Sequence, residues 1–600
     1  MTQTISMQNS LQSNNKIIRT LIMRMFPGCF SATITVCVAL MVDTILAGIM
    51  IGPEAIAAVA IGGPAMNIFQ ALVLTIGNGA IVKMSAAAGR GNKEEVNQAF
   101  SLAIIGTVVL GGIFIAICLS FADSLTMVFG GAGNPEVAKQ ASLYLKASTV
   151  CILMGSLNTF FSKIMALYGY QKQVFVAAVL AILGNLVFST LYIYLLPPEL
   201  AIVGLGMGTW TGGMMALSSS VIVTVIKKIP LKLRMKKLQL KMMWDIIKTG
   251  FPTSGNNLAD GVVSGIVNNI IVMGFGGDTA ALSVYTAVKG LAQFATAPVM
   301  GTTMATAPLF GVLYGARDRN GIVRAVREAF KVGLMYAVVW CGVIAILAPK
   351  LAGFYGMEGN AYFRQGVYVY LLFIPLCLSV RLMTQLFEST EKHLMGMLYS
   401  IVPDSVIYPV MLLGLLPTMK YAGIWISYSA NAVPFLIVLF LVRSAKNREL
   451  RMSPDRLLCI DQSIRDNVPM LDISIHANNT DVTGISKQVY DFLMDQKASV
   501  RTAYMTSLCL EELAADFVEH TEKEQLKNSE QIIMDIKLFS DEDTLKIMIR
   551  NAADHYNPLD FEMDENTFSK VGVKLAQKVA KNIDYTYIYK MNVITIELDK

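Results

Sequence analysis

Two carboxylates lie inside long apolar segments, where an ionisable side chain is costly. Asp43 follows CVALMV and precedes TILAGIM, and Asp260 lies eight residues after Pro252. A charge near the middle of a bilayer costs roughly 3 kcal/mol or more unless it is paired or wetted. A desolvated carboxylate can take up a proton on one side of a membrane and release it where water reaches it. We therefore predict that Asp43 and Asp260 couple ion movement to transport.

Other polar residues in apolar segments are candidates for the lining of a transport cavity. Amide oxygens beside a carboxylate can hold a hard cation such as sodium, so the coupling ion is left open between proton and sodium. In the alternative reading, Asp43 only hydrogen-bonds a neighbouring helix and Asp260 pairs statically with Lys289. Arg381 places a fixed positive charge inside an apolar segment, which disfavours a complete sodium site. The predicted cavity residues are Asn185, Asn256, Asn257, Asn268, Lys289 and Arg381.

The composition requires two kinds of protein in one chain. The 600 residues are 54% hydrophobic and 15% charged, and the mean hydropathy is +0.53. Residues 466–600 hold 24 acidic and 14 basic side chains out of 43 and 49 in the whole chain, so the remainder is basic. A basic membrane part with an acidic soluble tail explains the net charge of +6 without a nucleic-acid partner.

Apolar stretches of roughly 20 residues, long enough to cross a bilayer, recur along the first three quarters of the chain. Lys and Arg cluster in the even-numbered loops and at both ends, which predicts an even number of spans with both termini in the cytoplasm. The expected location is the cell inner membrane. The twelve predicted spans are 28–50, 59–82, 99–122, 142–168, 172–196, 201–226, 246–274, 280–312, 328–348, 366–390, 394–416 and 421–443.

The predicted spans form two similar halves. One half begins at Phe26-Pro27 and continues through VDTILAG to GRGNKEEVNQAF, and the other begins at Phe251-Pro252 and continues through VNNIIVMG to GARDRNGIVRAVREAF. The second copy begins six spans after the first. Because six is an even number, both copies insert with the same orientation. A parallel repeat is typical of a two-lobed alternating-access transporter. The expected fold is an all-α polytopic bundle of twelve transmembrane helices, with lobes at 1–245 and 246–445.

The first 445 residues resemble the multidrug and toxic-compound extrusion (MATE) transporters. The most specific segments are VDTILAGIMIGPEAIAAVAIGGP (42–64), GNGAIVKMSAAAGRGN (77–92) and GLGMGTWTG (204–212). The resemblance implies an antiporter that exports lipophilic, cationic small molecules in exchange for protons or sodium. It places Asp43 at the family's first-helix acid and Asp260 where a sodium-coupled branch has a glutamate.

Two other functions remain open from the sequence. Fusion to a signalling-type domain would suit a membrane-anchored ligand sensor, and the two-lobe design is shared with flippases of lipid-linked precursors. A flippase is expected to show a more cationic cavity than Lys289 and Arg381 provide.

After a linker at 446–465, the periodicity of residues 466–600 changes to short strands and amphipathic helices. Strands are predicted at 471–475, 532–539 and 544–550, the last two as a hairpin, and NVITIEL forms another strand. Helices are predicted at 480–495, 499–522 and 571–582. These elements predict one cytoplasmic α/β sandwich of ordinary domain size.

The tail resembles the anti-sigma-factor serine kinases, a branch of the GHKL ATPases. LCLEELAADFVEH places Glu512 at the general-base position and Asp516 where a magnesium-binding Asn belongs. RNAADHYNP has Asn551 in place of the Asp that accepts the adenine amino group, and KVGVKLA keeps only Gly572 of the phosphate-loop glycines. The resemblance implies a GHKL-type fold with damaged catalysis, hence no enzyme, cofactor or resident metal. We predict binding of a cytoplasmic regulatory protein, with a weak nucleotide sensor as the alternative.

Overall fold

The structure is a computed structural model that describes most of the chain. The described residues are 2–89, 93–167, 170–229, 231–233, 240–315, 318–390, 392–447, 458, 470–476, 482, 484–528, 533–540, 544–551, 553, 556–559, 571–588 and 591–599. They divide into two compact units. One unit comprises Met1–Pro27, Met304–Val332 and Arg451–Lys600, and the other comprises Gly28–Thr303 and Gly333–Leu450.

Helices make up the chain as far as residue 447. In chain order they are α1 Thr2–Leu46, α2 Pro53–Gly89, α3 Lys93–Val128, α4 Pro135–Ser148, α5 Cys151–Leu167, α6 Gln171–Leu195, α7 Ala201–Ile226, α8 Leu240–Gly274, α9 Ala280–Ala295, α10 Ala297–Gly315, α11 Arg319–Phe354, α12 Ala361–Leu372, α13 Ile374–Ser389, α14 His393–Ile401, α15 Tyr408–Met419, α16 Tyr421–Ala430 and α17 Ala432–Asn447. Short π-helices at Ala47–Ile51 and Val402–Ile407 follow α1 and α14.

Each of the twelve predicted spans falls on helical residues, but several are broken. By length and apolar composition, the described residues contain seven helices able to cross a membrane, or up to nine if each bent pair is one span. The bent pairs are α12 with α13, at 51°, and α16 with α17, at 48°. The predicted spans 142–168 and 280–312 are likewise divided, the first between α4 and α5 and the second between α9 and α10.

Prolines account for three of these breaks. Pro298, Pro375 and Pro434 each lie in the first turn of the helix that follows the break. Proline lacks the N–H that would bond the preceding turn, and it is tolerated where that donor is unsatisfied in any case. Pro64, in contrast, lies inside the continuous helix α2.

Glycines bring α2 and α8 into contact over much of their length. A Cβ on Gly79 would overlap the carbonyl oxygen of Ile246, and a Cβ on Gly250 would overlap that of Thr75. Nearer the other end of α2, the side-chain amide of Asn268 donates to the carbonyl of Ala60 at 2.8 Å. In an apolar environment, small residues of this kind allow backbones to approach closely enough for dispersion forces to hold the helices together.

Residues 470–599 contain a five-stranded antiparallel sheet with helices on one face. The strands are β1 Met470–His476, β2 Ile533–Ser540, β3 Thr544–Asn551, β4 Asn582–Ile588 and β5 Met591–Asp599, in the order β1-β2-β3-β5-β4. The helices are α18 Ile485–Asp495, α19 Val500–Asn528 and α20 Val571–Val579. Ile536, Ile547 and Ile596 from alternate strand positions pack with Leu493 and Phe517 of the helices in one apolar core.

The predicted β2–β3 hairpin is confirmed, with Ile536 opposite Ile549. One prediction in this region was wrong: the last helix ends at Val579, not Asn582, and Asn582 begins strand β4. Pairing of β4 with β5 supplies the physical reason, because it places Tyr585 opposite Ile594, and the half-buried Ile583 and Tyr585 pack against the core. The predicted helix 480–495 is observed from Ile485, and residues 477–481 lie outside the described part.

Candidate functional site

Asp43 lies one turn before the end of α1, where the helix changes to the π-helix Ala47–Ile51. Gly48 in this π-helix packs against backbone, since an added Cβ would lie 2.6 Å from the carbonyl oxygen of Tyr355. π-helical turns inside longer helices are frequent at functional sites, because the extra residue redirects neighbouring side chains. The end of α1 is thus fixed at a point where its one acidic residue faces other helices.

Three helices donate hydrogen bonds to the Asp43 carboxylate. Asn185 of α6 donates from Nδ2 to Oδ1 at 2.9 Å. Thr209 of α7 and Tyr144 of α4 donate from their hydroxyls to Oδ2 at 2.8 and 3.1 Å. Hydrogen bonds to an ionised acceptor are stronger than neutral ones. The structure brings Asn185, a predicted cavity residue, to Asp43 through its amide nitrogen, whereas Tyr144 and Thr209 were not anticipated.

The glycine-rich segment of α7 explains how these donors reach Asp43. Gly208 and Gly212 face α6 so closely that added Cβ atoms would meet Ser189 and, at 2.5 Å, the carbonyl oxygen of Ala181. Ser189 is fully buried and donates to Oδ1 of Asn185 at 2.8 Å. That bond uses the amide oxygen of Asn185, so its Nδ2 is the group directed at Asp43.

Such a network suits a carboxylate that changes protonation state. The hydroxyls of Thr209 and Tyr144 can donate to a carboxylate or accept from a carboxylic acid after a rotation. Thr209 also has a second acceptor at 3.0 Å, the carbonyl oxygen of Leu205. The amide oxygen of Asn185 points away from the carboxylate, so it does not add a cation ligand there. Among described residues, no group of three or more His, Cys, Asp or Glu side chains could hold a metal ion.

Among the cavity residues predicted in the second half of the bundle, Lys289 interacts electrostatically with Asp260 and Asp404, and Arg381 pairs with Asp404. Asp260 and Asn257 are exposed, and Asn256 is half-buried with a side-chain oxygen that has no hydrogen-bond partner. Lys289 donates to the hydroxyl of Ser264 at 3.0 Å. No direct ion pair within 4.0 Å joins Asp260 and Lys289 among the described residues, but the two charges interact at longer range. Asn268 contacts the backbone of α2 and therefore serves helix packing.

Arg381 is paired with an acid that sequence reasoning missed. Its Nη2 lies 3.1 Å from Oδ2 of Asp404 in the π-helix Val402–Ile407, and Asn431 donates to Oδ1 at 3.0 Å. Beside this pair, the ring of Tyr428 has centroid distances of 5.3 to 5.9 Å to those of Tyr285, Tyr370 and Tyr408. A signal was present, since Asp404 interrupts the apolar segment predicted as span eleven.

The positions compared with a nucleotide pocket are occupied by the domain's own side chains. Asp516 is buried and accepts a hydrogen bond from the Tyr556 hydroxyl at 2.8 Å, while His520 stacks on the Tyr556 ring at 3.8 Å. Burial and the Asp516 contact raise the pKa of Tyr556 well above its ordinary range. The Asn551 oxygen accepts from Nδ2 of Asn592 at 2.8 Å. Glu512 is exposed, and Gly572 lies in α20.

A helical membrane bundle with a carboxylate bonded by several helices defines a polytopic membrane transporter. The sequence pattern of the MatE family matches residues 29–191 and 261–408, more than half of the chain. The chain therefore belongs to the MATE family of membrane multidrug transporters, whose members are ion-coupled. The match ends at residue 408, so the sheet and helices of residues 470–599 lie outside it.

Solved MATE structures share the fold. One described as the inward-facing conformation of a multidrug resistance MATE family transporter of the MOP superfamily is 20% identical, with a TM-score of 0.62, covering 67% of this chain and 92% of its own. The MATE multidrug transporter DinF-BH is 18% identical, with a TM-score of 0.57 and coverages of 72% and 96%. A MATE protein in complex with MaD3S is 19% identical, with a TM-score of 0.55 and coverages of 76% and 99%. A comparison with curated proteins gives no match.

Proposed function

We propose that this chain is a secondary active antiporter that exports lipophilic, cationic small molecules in exchange for protons by alternating access. The observation that carries the proposal is the coordination of Asp43 by Tyr144, Asn185 and Thr209. Its carboxylate is the only formal charge among these four side chains. Protonation would remove that charge, and a cationic substrate would compensate it. Proton and substrate therefore compete for one group, which is the requirement for exchange.

The same geometry favours a proton over sodium as the coupling ion. Sodium binds through oxygen ligands arranged around the ion. Here the Asn185 amide directs its nitrogen to Asp43, and the two hydroxyls direct their hydrogens there. A sodium ion would have to displace these donors, whereas protonation requires only that one hydroxyl rotate.

An apolar cleft of about 530 Å³ between α6 and α7 fits the proposed substrate class. Phe188, Met214 and Met215 line it, together with the hydroxyl of Thr211. Thioether side chains are polarisable and adapt to different shapes, and aromatic faces attract cations. The cleft lies on α6 and α7, the same two helices that carry Asn185 and Thr209.

Transport in everted membrane vesicles tests this function. The wild-type protein should accumulate a fluorescent lipophilic cation under an imposed pH gradient and not under a sodium gradient alone. Asp43→Asn should abolish accumulation while the protein still inserts, because the amide is nearly isosteric but cannot titrate. Asp123→Asn is the matched control, since the Asp123 side chain is 81% exposed. Sodium-driven uptake would overturn proton coupling, and no uptake under either gradient would favour the sensor.

The proposal includes the topology of the membrane part. We infer twelve spans in two six-helix lobes, residues 1–245 and 246–445, with both termini in the cytoplasm and the protein in the cell inner membrane. Support comes from the coincidence of every predicted span with helix and from the basic even-numbered loops. A reporter active only in the cytoplasm should work after Arg448 and fail near Asp278. The reverse pattern would overturn the orientation.

We further propose that residues 466–600 form a GHKL-type domain that regulates transport without catalysis, joined through the linker 446–465. Its support is that Asp516 accepts a hydrogen bond from Tyr556 and that the Asn551 oxygen accepts one from Asn592. These bonds occupy the groups that magnesium and adenine would need. A cytoplasmic regulatory protein remains a proposed partner. Co-purification of a defined partner with full-length protein, and not with a form ending at residue 447, would support that role.

A further inference from the structure

The second face of the C-terminal sheet carries charges at its centre. The helices pack on one face, and Asp472 of β1, Asp535 and Lys537 of β2, and Arg550 of β3 lie on the other. Strand register places Asp472 opposite Lys537 and Asp535 opposite Arg550. The side chains of Lys537 and Arg550 are only 2% and 7% exposed. Long cationic side chains are almost never buried to this degree unless they are paired.

The partners of this charged face include the connection between α10 and α11. Asp318, which is fully buried, forms an ion pair with Lys537 and another at 3.4 Å with Arg550. Arg324, in the second turn of α11, lies 3.4 Å from Oδ2 of Asp472. All six charged residues, Asp318, Arg324, Asp472, Asp535, Lys537 and Arg550, belong to the same compact unit. Below they are called the latch.

Asp318 is held rigidly by its own helix. It precedes α11, and its Oδ1 accepts the backbone N–H of Gly321 at 2.7 Å, which is the N-capping arrangement. A Cβ on residue 321 would overlap the Asp318 carboxylate, so glycine is required there. Burial alone would raise the pKa of Asp318, but Lys537 and Arg550 outweigh it and hold the pKa below its ordinary range.

The charge balance of the latch suits reversible docking. Within the latch, the sheet contributes two acids and two bases, and Asp318 and Arg324 contribute one of each, so the buried set is balanced when the two surfaces meet. A latch with unequal numbers of acids and bases would carry a net charge, which is costly to bury in the docked state. The adjacent cavity, of about 20 Å³, has room for roughly one water molecule and therefore for no organic ligand.

We propose that the latch is an autoinhibitory contact through which the C-terminal domain restrains the transport cycle. This inference rests on the proposed transport function. Helices α10 and α11 continue from the latch into the predicted spans eight and nine, and alternating access requires such helix ends to move. Docked on the sheet, the connection is held in one position. A binding partner on the helical face of the domain, or a substitution in the latch, releases the domain. The α10–α11 connection can then move.

The test uses full-length protein in proteoliposomes and three variants. Asp318→Asn removes the acid that both Lys537 and Arg550 contact, and it should release the domain. Asp318→Glu is the conservative variant, because it keeps a carboxylate for both Lys537 and Arg550. Lys546→Gln is the control, because Lys546 lies on the same strand face as Arg550 and pairs with Glu597 at 3.8 Å outside the latch.

Two measurements separate docking from transport. Amide hydrogen exchange reports whether residues 318–332 and strand β2 are protected, and dye transport reports the initial rate. We expect Asp318→Asn to increase exchange in both segments. The transport rate should rise by roughly threefold or more, because the docked, inhibited state is no longer the dominant one. Asp318→Glu should retain protection and the low rate, and Lys546→Gln should match the wild type.

Unchanged exchange in Asp318→Asn would overturn the latch. Increased exchange with an unchanged or lower transport rate would overturn its inhibitory role. If no variant, including the wild type, transports dye, the proposed function has failed, while the exchange data still decide whether the domain docks through these residues.

Discussion

The side-chain nitrogen of Asn185 lies 2.9 Å from Oδ1 of Asp43, although 142 residues separate the two in the chain. The bond is directional because Ser189 occupies the oxygen of the same amide. Asp43 on α1 is thereby tied to α6, and through Thr209 it is tied to α7. A change in the charge of Asp43 would alter contacts to several helices at once, which is how one proton could bias a helical bundle between two arrangements.

Replacement of Thr209 by valine should weaken coupling at Asp43. Valine preserves the shape of threonine and removes the hydroxyl that donates at 2.8 Å. A hydrogen bond to a charged group contributes about 1.5–3 kcal/mol, so the initial rate of gradient-driven transport should fall about tenfold or more. Thr209→Ser keeps the hydroxyl and should retain most of the rate. Equal rates for the valine and serine variants would show that this donor does not act in the cycle.

A methyl group on Gly79 should disrupt the contact between α2 and α8. An added Cβ would overlap the carbonyl oxygen of Ile246, and backbone cannot move aside as a flexible side chain can. Overpacking of this kind typically costs about 1–3 kcal/mol, so Gly79→Ala should lower thermal stability in detergent and reduce transport.

Gly63→Ala on the same helix is the control for Gly79, because no atom lies within 4 Å of its added Cβ. It should retain wild-type stability. If both alanine variants have the same melting temperature, the close approach at Gly79 is not what holds α2 and α8 together.

Helical periodicity and apolar length predicted helical segments, since the described residues of each predicted span are mostly helical; seven of the described helices, or up to nine if each bent pair is one span, are long and apolar enough to cross a membrane. Periodicity and length did not reveal where spans break, because a break at Phe373 or Asn431 depends on a nearby proline together with local packing. Strand β4 was missed for a related reason. Its residues NIDYTYI directly follow a helix, and only pairing with β5 distinguishes them from a further helical turn.

The candidate site was predictable in part. Asp43 stands out as a lone acid in an apolar run, and Asn185 was named as a possible neighbour. Tyr144 and Thr209 were not, because hydroxyl residues are common in such helices and only the three-dimensional arrangement selects these two. Lys289 was predicted as a static partner of Asp260; in the structure its ammonium donates to Ser264, and the charges of Asp260 and Asp404 act on it at longer range.

The latch should be insensitive to pH across the physiological range. The pKa of Asp318 is lowered on folding, so its contribution is present above the ordinary aspartate value of about 3.9 and is lost as pH falls through the lower folded value. Arg550 has its pKa raised, and it stays charged throughout. Lys537 and Arg550 face Asp318, the remaining charged groups of the latch are Asp535, Asp472 and Arg324, and no histidine is among the described contacts.

Amide exchange in residues 318–332, corrected for its intrinsic pH dependence, should therefore show constant protection from about pH 5 to 9 and a loss only below about pH 4. Asp318→Asn should show low protection throughout that interval. A transition near pH 6 to 7 would mean that another titrating group controls docking.

The C-terminal domain should neither bind nor hydrolyse ATP at cellular concentrations. Magnesium would have to displace the Tyr556 hydroxyl from Asp516, where His520 stacks on the ring and holds it in place. Adenine would find the Asn551 oxygen already bonded to Asn592. Each unmatched hydrogen bond forfeits about 1–3 kcal/mol, so the two losses together weaken binding by about a hundredfold or more. Full-length protein with magnesium and ATP should accordingly show no phosphate release and no thermal shift.

The variant Tyr556→Phe separates the loss of the magnesium ligand Asp516 from the loss of the adenine acceptor at Asn551. It frees Asp516 from its donor while keeping the ring that packs against His520 and Phe517. Magnesium could then approach Asp516, but the Asn551 oxygen remains bonded, so ATP binding measured by calorimetry should stay weaker than about 1 mM. Micromolar ATP binding by the wild-type protein would contradict this prediction and support the nucleotide sensor. Phosphate transfer to a partner serine would instead establish a kinase.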